Sequence, residues 1–137
     1  MSLVAALALV GCGSVQDDSS KDFKGEQAKV AKAIEDLEKA AAKRPADTKK
    51  ICSDLFTDAL AKRIAAADTN DTCKDRLDDA IGDVVSGGVS GTKLDVEKVT
   101  ISGSGATAVV KNDAGDSAAS STFKLAKVGA NWRIDSF

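Results

Sequence analysis

The chain has 137 residues, 43% of them hydrophobic and 29% charged, with a net charge of −2 and a pI near 5.1. That is room for one domain with an ordinary core, and the acidic balance excludes the basic field that a nucleic-acid partner requires. The chain contains no His and no Tyr, so the commonest general acid–base and the phenol used to polarise carbonyls are both missing.

Taken in chain order, an apolar stretch from Leu3 to Val10 ends in Leu9-Val10-Gly11-Cys12, and the sequence is strongly polar from Asp17 onward. Such a stretch is too short to cross a bilayer as a helix and reads as a secretory signal with a processing site. The four-residue run resembles the lipobox of bacterial lipoproteins, in which the cysteine thiol receives a diacylglyceryl group and becomes the first residue after cleavage. The resemblance implies a signal peptide over 1–11, palmitate-type acyl chains on Cys12, and localisation on the extracytoplasmic face of the cell membrane. The departure from the pattern is that Met1 and Ser2 alone precede the apolar run, without a basic residue; a hydrophobic strand or helix carrying a buried thiol is the competing reading. Residues 13–25 are rich in Ser, Asp and Gly with no hydrophobic period, so 12–25 is expected to be the lipidated cysteine and a flexible tether, about 20 Å end to end.

Setting Cys12 aside from the 3 cysteines leaves Cys52 and Cys73, the pair that one disulfide in an oxidising compartment needs; two buried thiols are the alternative. Without histidine or a CxxC spacing, neither a zinc site nor a thioredoxin-type site can be assembled, and no metal or cofactor is expected.

The spacing of Val30, Ile34, Leu37 and Ala41 predicts an amphipathic helix over 26–44, stopped by Pro45. A second helix is expected from Asp47, its N-cap, to about Asp68, with Ile51, Leu55, Ala59 and Ile64 on the apolar face. After the turn residues Asp68-Thr69-Asn70-Asp71, a third helix carries Cys73, Leu77, Ile81 and Val84 and ends at Gly87-Gly88. A Cys52–Cys73 bridge would pin the second and third helices together.

Past Gly91 the period becomes alternating and β-branched residues replace Lys and Glu. Antiparallel strands are expected over 93–102, 106–112, 117–127 and 131–137, joined as a meander by short Gly-containing connections. Leu94 and Val96 are out of phase with Val99 and Ile101, which predicts a bulge near Glu97 and Lys98. Phe123, Leu125, Trp132 and Ile134 share an inward face, while Lys124, Arg133 and Asp135 point outward.

The expected fold class is α+β: three N-terminal helices packed on a curved four-stranded antiparallel sheet, as a single domain over 26–137. This order, with one cysteine in helix two matched by another opening helix three and a last strand reading Asn131-Trp132-Arg133-Ile134-Asp135-Ser136-Phe137, looks like the nuclear transport factor 2-like superfamily. It is most similar to small secreted and lipoprotein members from actinobacteria. The resemblance implies a cone enclosing a pocket, lined here by Val110, Phe123, Leu125, Trp132 and Ile134 with Leu37 and Leu55, although a filled core is the ordinary use of such residues.

The expected function is therefore a membrane-anchored, non-catalytic domain that binds a small apolar ligand or an envelope partner protein. An isomerase or lyase of the same superfamily, with an aspartate such as Asp135 as base, is the alternative; a homodimer through the sheet is a further expectation if that face is apolar. Gly-x-Ser-x-Gly is absent, and the Asp68–Cys73 run lacks the glycine and distal glutamate of a calcium loop.

Overall fold

The computed structural model describes residues 19–86, 93–114 and 117–137. Cys12, the proposed lipid site, lies outside the described residues, as do Gly87 and Gly88. The architecture is α+β, with four helices among the described residues, α1 (Glu26–Ala42), α2 (Thr48–Lys50), α3 (Asp58–Ala65) and α4 (Cys73–Ser86), followed by a sheet. The strands β1 (Lys93–Ser102), β2 (Gly105–Ala114), β3 (Ser117–Val128) and β4 (Asn131–Ser136) pair in the order β1-β2-β3-β4, an antiparallel meander.

Helix α1 follows from its apolar stripe, and it buries Val30, Ala31, Ala33, Ile34 and Ala40 against the sheet. It ends at Ala42 rather than 44, because Lys43 is already extended at ψ 155° ahead of Pro45. Prolyl sterics keep Arg44, the residue directly before Pro45, out of the helical basin, so the helix has to stop before it.

The tether expected over 13–25 is already folded at its C-terminal end. Ser19–Asp22 form a 3-10 turn, pinned to α1 because the Glu35 carboxylate accepts from the Ser20 amide at 2.6 Å and from its hydroxyl at 3.1 Å. Phe23 packs against the core behind that turn. A lone aromatic in a polar run was the only sign of this docking.

The single second helix expected from Asp47 to Asp68 is broken in two. Asp47 does cap the start, accepting from the Lys50 amide at 3.2 Å. One turn of α2 then widens into a π turn, Ile51–Leu55, in which the Phe56 amide reaches back to the Ile51 carbonyl at 2.9 Å. Phe56 itself is extended, at ψ 151°, and bridges Ile134 in parallel, with the Thr57 amide donating to the Ile134 carbonyl at 2.9 Å. A strand-edge hydrogen bond and burial of Phe56 thus outweigh helix continuity. Thr57 restarts the chain as N-cap of α3, its hydroxyl accepting from the Leu60 amide at 3.1 Å. The restart shifts the phase, so Leu60 is buried and Ala59, expected inside, is exposed.

Helix α4 opens on a capping box: the Thr72 hydroxyl accepts from the Asp75 amide at 3.3 Å while the Asp75 carboxylate accepts from the Thr72 amide at 3.0 Å. Cys52 and Cys73 are joined, with Cα atoms 6.1 Å apart. The bridge ties the π turn, rather than an intact second helix, to the first residue of α4.

In the sheet, the register shifts between Val96 and Lys98, at the predicted bulge, and again between Lys124 and Leu125. Two hairpins turn on two residues each, with Gly103 at φ 59° and Gly129 at φ 63°, a conformation in which any side chain would be strained. Val99, Ala106, Ala108, Val110, Phe123, Leu125, Trp132 and Ile134 face α1 and form one core cluster with it.

Candidate functional site

The five residues proposed to line a pocket, Val110, Phe123, Leu125, Trp132 and Ile134, are all buried on the inward sheet face and belong to the core cluster. Leu55 joins them, and Leu37 is half-buried at the margin. Alternation therefore placed the inward face correctly. The small residues Ala106 and Ala108 are buried beside them, whereas Ala119 is exposed. Phe137 caps one end of this face while staying 65% exposed, its ring 5.7 Å from that of Phe123 and 5.9 Å from that of Phe56.

Asp135 stands on the outward side, as alternation requires. Its carboxylate accepts from the Thr57 hydroxyl at 2.7 Å, and its carbonyl accepts from Arg63. It borders an open cleft of about 440 Å³ on the outer sheet face, beside Thr100, Thr107 and Lys124. It therefore offers no base to the inward face. The carboxylate that is inside is Glu35, 7% exposed and committed to Ser20. Sequence reasoning missed it, yet Gln27, Glu35 and Glu38 carry the signal, since polar residues at helical spacing along the border of an apolar stripe have edge groups to satisfy.

A second concavity, about 430 Å³, lies between α1, the π turn and the start of β4. Its floor is Ala33, Leu55 and Trp132, and its rim carries Lys29, Lys32, Lys50 and Arg133 against Asp36 and Asp54. Beside it, Glu26 gathers three donors: Lys29 at 2.7 Å, the Trp132 indole at 2.9 Å and Lys127 at 3.1 Å. These bonds to Lys29, Trp132 and Lys127 hold its carboxyl down at about 2. Lys127 also sits 5.9 Å from the Trp132 ring centroid.

The described aspartates of the helices do what a solvated face does. Asp78, on α4, is held below its ordinary value by Lys74 first and by the Thr48 hydroxyl second. Among the described residues, no group of three His, Cys, Asp or Glu side chains is placed to hold a metal ion. No helix of the described residues is long and apolar enough to cross a membrane. Compared with known proteins, the chain matches no family model, no curated protein and no solved structure.

Proposed function

We propose that this protein is a lipid-anchored extracytoplasmic binding domain, held on the outer face of the cell membrane through Cys12, that takes a small apolar ligand or an envelope protein without chemical turnover. The observation that carries this reading is the lipobox-like run Leu9-Val10-Gly11-Cys12. Support comes from the Cys52–Cys73 bridge, since disulfides persist in oxidising compartments. Support for a non-catalytic role comes from the composition, which lacks His and Tyr, and from the outward position of Asp135. The alternative, an isomerase or lyase with Asp135 as base, would have to work from the outer cleft rather than from the inward face.

The nuclear transport factor 2-like cone belongs to the same proposal. Helix α1 laid along one face of a meander with two register shifts supports it, because bulges bend a sheet. A homodimer through the sheet calls for an apolar face, whereas the outer face presents Thr100, Thr107, Thr122 and Lys124 around a half-buried Val109, so that contact finds little support.

Membrane fractionation of a Cys12→Ser variant, with mass spectrometry of the native protein, is the test. We expect the native chain to carry acyl mass on Cys12 and the variant to leave the membrane fraction. Unchanged membrane retention of the variant removes the anchor. Thermal-shift screening against lipids and apolar metabolites tests the ligand, with stabilisation expected from at least one compound.

A further inference from the structure

The groove between α1, the π turn and β4 combines features that the core and the caps do not use. Arg133 spans it from β4, and every described contact of its guanidinium runs through Nη1, to the Ser53 carbonyl at 3.1 Å and to Asp58 at 4.0 Å. Asp58 is 88% exposed, so that second contact is a screened one. The Arg133 Nε is buried without a hydrogen-bond partner among the described residues. With its described contacts all on Nη1, the guanidinium keeps Nη2 donors to offer an oxyanion.

The other charges of the rim sort by partner. Lys29 is taken by Glu26 and Lys32 by Asp36, whereas Lys50 enters no ion pair among the described residues. Asp54 accepts from the neighbouring Ser53 hydroxyl. Asp54 keeps its charge, so Lys50 and Arg133 against Asp54 leave a small net positive charge above a floor of Ala33, Leu55 and Trp132. The wall bearing Lys50 and Asp54 adjoins the π turn that the Cys52 bridge holds to α4, a helical irregularity of the kind that recurs at functional sites.

The register decides what size of partner fits. Val128 pairs with Asn131 across the hairpin, so Trp132 and Ile134 are the residues whose main-chain groups turn away from β3. Ile134 already accepts from Thr57, which leaves Trp132 alone to meet an added chain. A peptide strand would find one residue of open edge, too little for β-addition.

We infer that this groove binds a small organic carboxylate, its charged end against Lys50 and the Arg133 guanidinium and its apolar body on Ala33, Leu55 and Trp132. The volume suits a ligand of modest size. The inference rests on the binding-domain reading but not on the lipid anchor, and its failure would leave the fractionation result for Cys12→Ser untouched.

The test is titration of ¹⁵N-labelled full-length protein with hexanoate, hexylamine and inorganic phosphate, following the Trp132 indole and Arg133 Nε–H resonances. Hexanoate is expected to move both saturably, hexylamine neither, and phosphate more weakly than hexanoate. Arg133→Lys is expected to weaken hexanoate binding about tenfold, as a planar set of donors becomes a point charge. Lys50→Gln, at an exposed position, should weaken binding while the unliganded indole resonance stays in place. A response to hexylamine equal to that of hexanoate, phosphate binding as tightly as hexanoate, or no saturable response to hexanoate overturns the proposal. So does wild-type affinity in Lys50→Gln, the variant that decides the matter if Arg133→Lys disturbs the fold.

Discussion

Glu26 shows how much one surface carboxylate can organise. It opens α1, and its three donors come from its own helix and from both strands of the β3–β4 hairpin. Its ordinary value of 4.5 is lowered to about 2 in the fold. A carboxylate whose folded value is depressed binds fewer protons than its unfolded counterpart, so it adds stability above the unfolded value and loses it as pH falls toward the folded one. Melting curves of native protein and Glu26→Gln should therefore show a stability difference at neutral pH that shrinks between pH 4.5 and about 2, with the Trp132 fluorescence reporting on the same contact. Thr57 does two jobs, capping α3 and donating to Asp135. Thr57→Ala should cost about 1–2 kcal/mol, the range for a lost N-cap, as a lower urea midpoint at unchanged slope. Neither role was legible in the sequence, where Glu26 reads as solvated polar surface and Thr57 as the middle of a helix. A side chain's partners over long sequence separation leave no local mark.

At the scale of elements, α1, the start of α4, the four strands and the first bulge were all readable, because each rests on periodicity or on a local stop such as Pro45. The second helix was not. Its pattern is helical on both sides of Phe56, and what interrupts it is the edge of β4, about eighty residues away in sequence, which takes Phe56 and Thr57 as partners. The 3-10 turn was missed for the same reason, since its anchor is Glu35 on another element. The Cys52–Cys73 bridge closes a loop with a sequence separation of 21. Removing it by a double Cys→Ala change should cost roughly 3 kcal/mol in the chain-entropy account. Denaturant unfolding with and without reductant checks this, and the native protein in reductant should match the double variant.

For the whole molecule, other parts of the chain take up main-chain groups on both outer edges of the sheet. On β1, Gln27 donates to the Val99 carbonyl at 3.1 Å and Glu38 accepts from the Leu94 amide at 2.7 Å. On β4, Phe56 and Thr57 cover Ile134. Edges occupied in this way resist strand-to-strand aggregation. Ile34 lies fully buried where α1 meets the sheet. Ile34→Ala should destabilise by about 2–5 kcal/mol, visible as a lowered thermal midpoint, because the cavity sits between rigid layers that cannot collapse onto it.

Residue type and spacing alone were enough for the class of fold, the inward faces of α1 and the strands, and the cysteine pair. Those properties are local: periodicity of 3.6 or 2, a turn glycine, a count of thiols. Folding alone decided that Glu35 is an interior carboxylate, that Phe56 leaves its helix for a strand edge, and that Lys50, Trp132 and Arg133 share one groove. Each of these is a contact between residues distant in sequence, chosen because a buried polar or edge group must find a partner wherever the packed chain happens to supply one.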